Sequence, residues 1–190
     1  TLNMSAAALK QATRGSTRAI FKTHLMGNPS TVSEGDLIPF HDCCEALGSY
    51  MDGYHVGSDG VASAFSFFHS HHISTMEGGM VTTNSLEFAE CCRQLRAHGW
   101  TRDLQAPKKV LATGDKRYHF TARGFNFRPT EIQGAIGLVQ LGRLGELSGW
   151  RARHAEMLWR HIRPEHGNPV TVSGPEVASP SIVPSFTVAV

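Results

Sequence analysis

Apolar residues in this chain come in short runs separated by polar stretches rich in glycine and proline. Ala19 to His24, Leu37 to Asp42, Val61 to Phe68 and Gly79 to Thr83 are each too short for a buried helix and read as buried strands. Ser85 to His98 changes period: Leu86, Ala89 and Leu95 recur at helical spacing, with Ser85 or Asn84 as N-cap and Gly99 just beyond the end. Met4 to Ala12 predicts a short helix, and Pro129 to Leu144 and Leu147 to Arg163 predict two longer ones. Leu25 to Pro29 breaks the pattern as a loop, and Trp100 to Arg117 reads as a long charged loop. Proline, glycine and serine are frequent from Pro164 to Ser181, and Phe186 to Val190 reads as a strand opening a new unit.

Strands alternating with helices predict an α/β layered fold with a mostly parallel sheet between helices. Ligands in such sheets sit beyond the carboxyl ends of the strands. Asp42 and the loop after Phe67 both lie at such ends. The 190 residues suffice for one sizeable core, or for one core plus part of another. A hydrophobic share of 41% and a charged share of 18% fit a globular chain rather than a disordered one. A net charge of +2 offers no reason to expect a nucleic-acid or membrane partner. The first residues show no basic-then-apolar leader, and no apolar run approaches the ~20 residues that span a bilayer. A cytoplasmic protein is the expectation. The four cysteines form two adjacent pairs, Cys43-Cys44 and Cys91-Cys92. Adjacent cysteines suit neither a dispersed disulfide framework nor zinc-ligand spacing, so buried reduced thiols and no metal are expected.

The candidate chemistry lies between Phe65 and Met80. An apolar strand runs into a polar loop with His69, His71 and His72, then into a Glu77-Gly78-Gly79 turn. This segment resembles the cofactor-lysine segment of the DegT/DnrJ/EryC1/StrS sugar aminotransferases, with His71 on the lysine position. No lysine occurs between Lys22 and Lys108, so no slip of register restores one. Three other blocks follow the family's order: His24 to Pro29; Asp42-Cys-Cys-Glu45-Ala; and Gly124-Phe-Asn126-Phe-Arg128 through Gln133 to Gly137. Arg96 to Arg102 is a further shared run.

The resemblance implies a fold-type I pyridoxal-phosphate large domain over residues 1–163, and a linker with the start of a C-terminal small domain over 164–190. It reads as the central part of the family pattern, truncated at both ends. It implies Asp42 against the pyridine nitrogen, Glu45 near the ring hydroxyl, Ser66 on the cofactor phosphate and Asn126 on the phosphate of a neighbouring subunit, hence a homodimer. Arg102 and Arg128 are candidates for substrate phosphates or carboxylates. His69 and His72 read as packing or solvent-facing residues.

A histidine in place of lysine resembles the family's nucleotide-sugar 3-dehydratases. The implied cofactor is pyridoxal 5'-phosphate, cycling with pyridoxamine 5'-phosphate at the expense of glutamate. The implied substrate is a nucleotide-linked 4-keto-6-deoxy sugar, with GDP as the carrier. His71 would be the acid/base that allows loss of the C3 hydroxyl. The paired cysteines do not resemble the iron–sulfur ligands of some histidine-bearing relatives, which points to the cluster-free branch. Other readings stay open: an aminotransferase disabled by loss of its lysine, a non-catalytic fold module, or one piece of a longer gene product. An α/β sheet lacking some of its cover is also expected to expose apolar surface.

Overall fold

A computed structural model describes residues 3–102, 104, 118–162, 171–173 and 187–189. Its centre is a four-stranded sheet in the order β1 (Ala19–Thr23), β2 (Ile38–Asp42), β5 (Ala62–Ser66) and β6 (Gly79–Thr82). The first three strands are parallel and β6 is antiparallel to β5, as the mostly parallel expectation requires. The antiparallel turn back follows from the loop between β5 and β6. That loop holds no helix, and a parallel return would need a crossover.

Register assigns the side chains to faces. Thr23 pairs with Asp42 and Asp42 with Ala64, so these residues share one face, together with Ser66 two residues further along β5. Lys22, His41 and Ser63 form the next row on the opposite face, and all three are buried. Phe65 is buried on that second face, in a core cluster with Cys43, Ala46 and Val56. Burying a side chain of that size contributes about 2–3 kcal/mol.

Between β2 and β5 lies a small antiparallel hairpin, β3 (Tyr50–Met51) and β4 (Tyr54–His55), turning through Asp52 and Gly53. It is absent from the sequence reading, although Asp-Gly between two aromatic-containing pairs is a hairpin signal. Helix α1 (Ala6–Ala12) starts at Ser5, whose hydroxyl accepts from the Ala8 N–H. Helix α2 (Leu86–Arg96) starts at Ser85, which caps Phe88 N–H in the same way.

The two helices predicted across Pro129 to Arg163 are a single helix, α3 (Glu131–Ile162). Gly145 does not break it, because an isolated glycine costs about 1 kcal/mol relative to alanine. Leu141, Leu144 and Leu147 around it favour continuation. Only Trp100 to Arg102 and Leu104 of the predicted charged loop fall within the described residues. Most of the predicted linker lies outside them too, but Thr171–Ser173 (β7) is a strand and pairs with Thr187–Ala189 (β8). The expected apolar exposure is present on the sheet, where Phe21, Ile38, Met80 and Val81 are exposed. No helix among the described residues is long and apolar enough to cross a membrane.

Candidate active site

Asp42 ends β2 and leads into a turn. Its Oδ1 accepts the Cys44 N–H at 3.1 Å, an Asx-type bond that fixes the carboxylate at the strand end. No cation pairs with it among the described residues. Glu45 points elsewhere: its Oε2 accepts the Met26 N–H at 2.8 Å. Met26 is left-handed, with φ 56°, so Glu45 stabilises a strained turn just beyond β1. The two carboxylates therefore sit at the carboxyl ends of neighbouring strands, and Glu45 already has backbone work.

Ser66 stands on the Asp42 face. Its Oγ accepts the Phe68 N–H at 3.2 Å, which leaves the hydroxyl proton available to an anion. The loop beyond is closed at its base by Phe67, whose N–H donates to Gly78 O at 2.9 Å and whose carbonyl accepts from Thr75 N–H at 2.9 Å. Gly78 adopts φ 150°, and a Cβ there would lie 2.5 Å from Thr75 Oγ1. The Glu77-Gly78-Gly79 turn is thus a backbone device, as its sequence implies.

His71 lies in the excursion that this base closes. Its N–H donates to Phe68 O at 3.0 Å, and its ring meets the Phe68 ring edge-on at 5.8 Å. His71 Nδ1 is buried without a hydrogen-bond partner among the described residues. His69 is exposed, as expected. His72 is half-buried, and its pKa is lowered to about 4 by burial, then by the Arg151 cation and by His71. It is therefore a neutral neighbour of His71. Asn126 belongs to another part of the surface. It is exposed, pairs with Ala97 just after α2, and accepts from Arg128 Nε at 3.3 Å.

Four functional-looking groups were not legible as such in the sequence. His24 and His41 form a buried ring pair, and Gln133 and Arg151 reach from α3 to the His71 loop. Only the sheet register and a long-range approach bring these together. Cys43 is buried, Cys44 and Cys92 are half-buried, and all four thiols are free. The expectation of buried thiols fails at Cys91, which is exposed on α2, a helix with no fully buried residue.

The sequence matches the DegT/DnrJ/EryC1/StrS aminotransferase family over residues 1–188. The chain belongs to this family. Among curated relatives it is 39% identical over 170 residues to the GDP-4-keto-6-deoxy-D-mannose 3-dehydratase of Escherichia coli O55:H7, covering 82% of this chain and 43% of the relative. It is 37% identical over 167 residues to the enzyme of that name from Yersinia pseudotuberculosis, covering 82% and 42%. The chain thus spans less than half the length of these relatives. In three dimensions it matches the E. coli GDP-4-keto-6-deoxy-D-mannose-3-dehydratase solved with bound hydrated PLP, with TM-score 0.86 and 33% identity, over 100% of this chain and 51% of that one. The fold is that of the family's aminotransferase-like enzymes.

The donor set on this chain fits pyridoxal phosphate. A carboxylate at a strand end, with no cation partner among the described residues, suits a pyridinium N–H, a hydroxyl with an unspent proton suits a phosphate, and the orphaned imidazole nitrogen of His71 sits in the loop just beyond Ser66.

Proposed function

We propose that this chain is the cofactor-binding part of a nucleotide-sugar 3-dehydratase acting on a GDP-linked 4-keto-6-deoxymannose. The observation that carries the reading is His71, on the loop position where transaminating members of the family hold a lysine. Both similar relatives named above are called 3-dehydratases of that sugar nucleotide, which supports the same substrate class here.

Pyridoxal phosphate, cycling with its amine form and recharged by glutamate, supplies an electron sink that lets a neighbouring carbon lose a proton and a leaving group depart. The chain's own residues do the rest. Asp42 keeps the pyridine nitrogen protonated, and its bond to Cys44 N–H stops it swinging away. Ser66 donates its hydroxyl to the phosphate while its oxygen holds Phe68 N–H. Glu45 fixes the Met26 turn beside the Asp42 strand end, and from there would stand near the ring hydroxyl. His71 takes and returns the proton, a task suited to an imidazole at neutral pH. An imidazole at position 71 would form no covalent link to the cofactor as a lysine amine does, which would leave His71 free to hold and move the proton.

Asn126 reaches the phosphate in a second copy of the chain, which makes the working unit a homodimer. The product serves deoxysugar synthesis for surface polysaccharide, in the cytoplasm. An absorbance spectrum tests the reading. After free pyridoxal phosphate is removed by gel filtration, the chain keeps a yellow cofactor, and glutamate bleaches it to the amine form. A chain that binds no cofactor contradicts the proposal and favours a non-catalytic module.

A further inference from the structure

The His71 loop lies along α3 and is held there at several points. Gln133 Nε2 donates to Glu77 O at 2.7 Å across 56 residues of sequence. A Cβ on Gly137, one turn further on, would come within 3.2 Å of Thr75 Cγ2. Arg151 Nη1 donates to His72 O at 3.4 Å. Glu77, Thr75 and His72 thus meet α3 in the reverse of chain order, so the loop runs antiparallel to the helix. From Gln133 to Arg151 is about 27 Å along the axis at 1.5 Å per residue, which the two long side chains reduce to the reach of the loop.

Gln133 has a second bond that fixes its orientation. Its Oε1 accepts the Thr130 N–H at 2.8 Å, and Thr130 Oγ1 accepts the Gln133 N–H at 3.4 Å. This is a capping box at the start of α3, with Thr130 as cap and Gln133 three residues on. A carbonyl oxygen can only accept and an amide nitrogen can only donate, so the side chain is locked between the two partners. Glu77 O also accepts Thr75 Oγ1 at 2.7 Å, and the next residue's carbonyl holds Phe67 N–H. The bonds therefore connect Thr130 through Gln133 and Glu77 to the base of the loop that carries His71. Residues 124–130, which include Asn126, lead directly into that cap.

We infer that Gln133 is a positioning residue for His71, tying the loop to the start of α3 and hence to the Asn126 segment. The inference rests on the catalytic role proposed for His71, and deepens it. The side chain of Gln133 does not act on cofactor or substrate. It sets where the loop stands relative to the start of α3, into which the Asn126 segment leads.

Gln133→Glu separates this role from simple helix capping. Glutamate is itself a capping-box residue, so Thr130 keeps its partner and α3 keeps its start. Only the donor to Glu77 O is lost, replaced by an oxygen that repels it. Amide exchange over residues 68–79 should quicken by about tenfold, while residues 131–137 stay as protected as before. The His71 ring resonances should move while those of the remote His24 stay in place. In the assembled enzyme kcat should fall about ten- to a hundredfold with little change in KM. Gln133→Ala should show the same loop changes with a weakened helix start. Unchanged loop exchange and an unmoved His71 ring in Gln133→Glu overturn the inference. A loosened loop in a chain whose unsubstituted form never catalyses dehydration overturns the role assigned to His71, and with it the positioning role, while the tie itself stands.

Discussion

His24 Nε2 lies 2.8 Å from His41 Nδ1, with both rings buried and stacked at 5.1 Å between centroids. Ser30 N–H donates into His24 Nδ1 at 2.9 Å, so His24 carries its proton on Nε2 and donates to His41. His41 then carries its own on Nε2, which faces the Asp59 carboxylate at 3.8 Å. The pair is a directed chain of neutral imidazoles joining the end of β1, the loop at Ser30 and β2. A second proton on His24 would leave Ser30 N–H facing a donor.

That arrangement sets a pH dependence. Burial, and then His41 and Lys22, lower the His24 pKa from 6.5 to about 4, and burial lowers that of His41 too. Unfolded histidines take up protons near 6.5, whereas the folded pair resists. Between pH 6.5 and about 4 the unfolded chain binds more protons, so stability falls as pH falls. His24 alone accounts for roughly 3 kcal/mol across that window, and half-buried His72 acts in the same direction. Urea unfolding at pH 7.5 and 4.5 should show the loss, and His24→Asn should flatten the slope. An equal slope in the variant contradicts the assignment.

Gly57 is where the core leaves no room for a side chain. It has φ 85°, and a Cβ there would lie 2.7 Å from Cys43 Sγ and 2.8 Å from Phe65 Cζ. Gly57→Ala should cost about 3 kcal/mol from backbone strain and overpacking together. Gly53→Ala, where nothing lies within 4 Å of the added Cβ, keeps the left-handed backbone penalty alone. Comparing the two chemical melts checks this, with the larger loss expected at Gly57.

The thiols should differ in reactivity. Burial, reinforced by Asp42, pushes Cys43 up to about 12, and burial together with the Asp42 carboxylate does the same for Cys44. Cys91 is exposed. Iodoacetamide at pH 8 should therefore modify Cys91 first and reach Cys43 and Cys44 only in urea. Peptide mass mapping over time reads the order, and early labelling of Cys43 would contradict it.

Much of this architecture was legible in the sequence, and the misses have physical causes. Val61 to Phe68 and Gly79 to Thr83 announced β5 and β6, and Ser85 announced the start of α2, because these depend on local periodicity and capping. The expected break between Leu144 and Leu147 is absent, since the leucines around Gly145 outweigh the local cost of that glycine. Asp42 and Ser66 could be assigned to strand ends, but their shared face depends on how β2 registers with β5. The His24–His41 pair and the Gln133–Glu77 bond join residues 17 and 56 apart, and no local pattern encodes them.

Replacing His71 by lysine should restore what the sequence lacks. His71→Lys should hold pyridoxal phosphate covalently, so that borohydride makes the attachment permanent, while the unsubstituted chain loses the cofactor on denaturation. His71→Asn should still bind the cofactor but lose at least about a hundredfold in turnover, the usual contribution of a general acid–base group. Mass spectrometry of the borohydride-treated proteins distinguishes them. A lysine variant that never becomes covalently loaded would argue against the His71 position facing the cofactor.

The measurement that bears most directly on the proposed activity is identification of the product. The chain is incubated with pyridoxal phosphate, glutamate and GDP-4-keto-6-deoxymannose, and the sugar nucleotide is examined by mass spectrometry. A 3-dehydratase returns a sugar nucleotide lighter by one oxygen atom, with one 2-oxoglutarate and one ammonia formed per turnover. A 4-amino sugar nucleotide with no free ammonia would instead mean that the chain transaminates, and the reading built on His71 would be wrong.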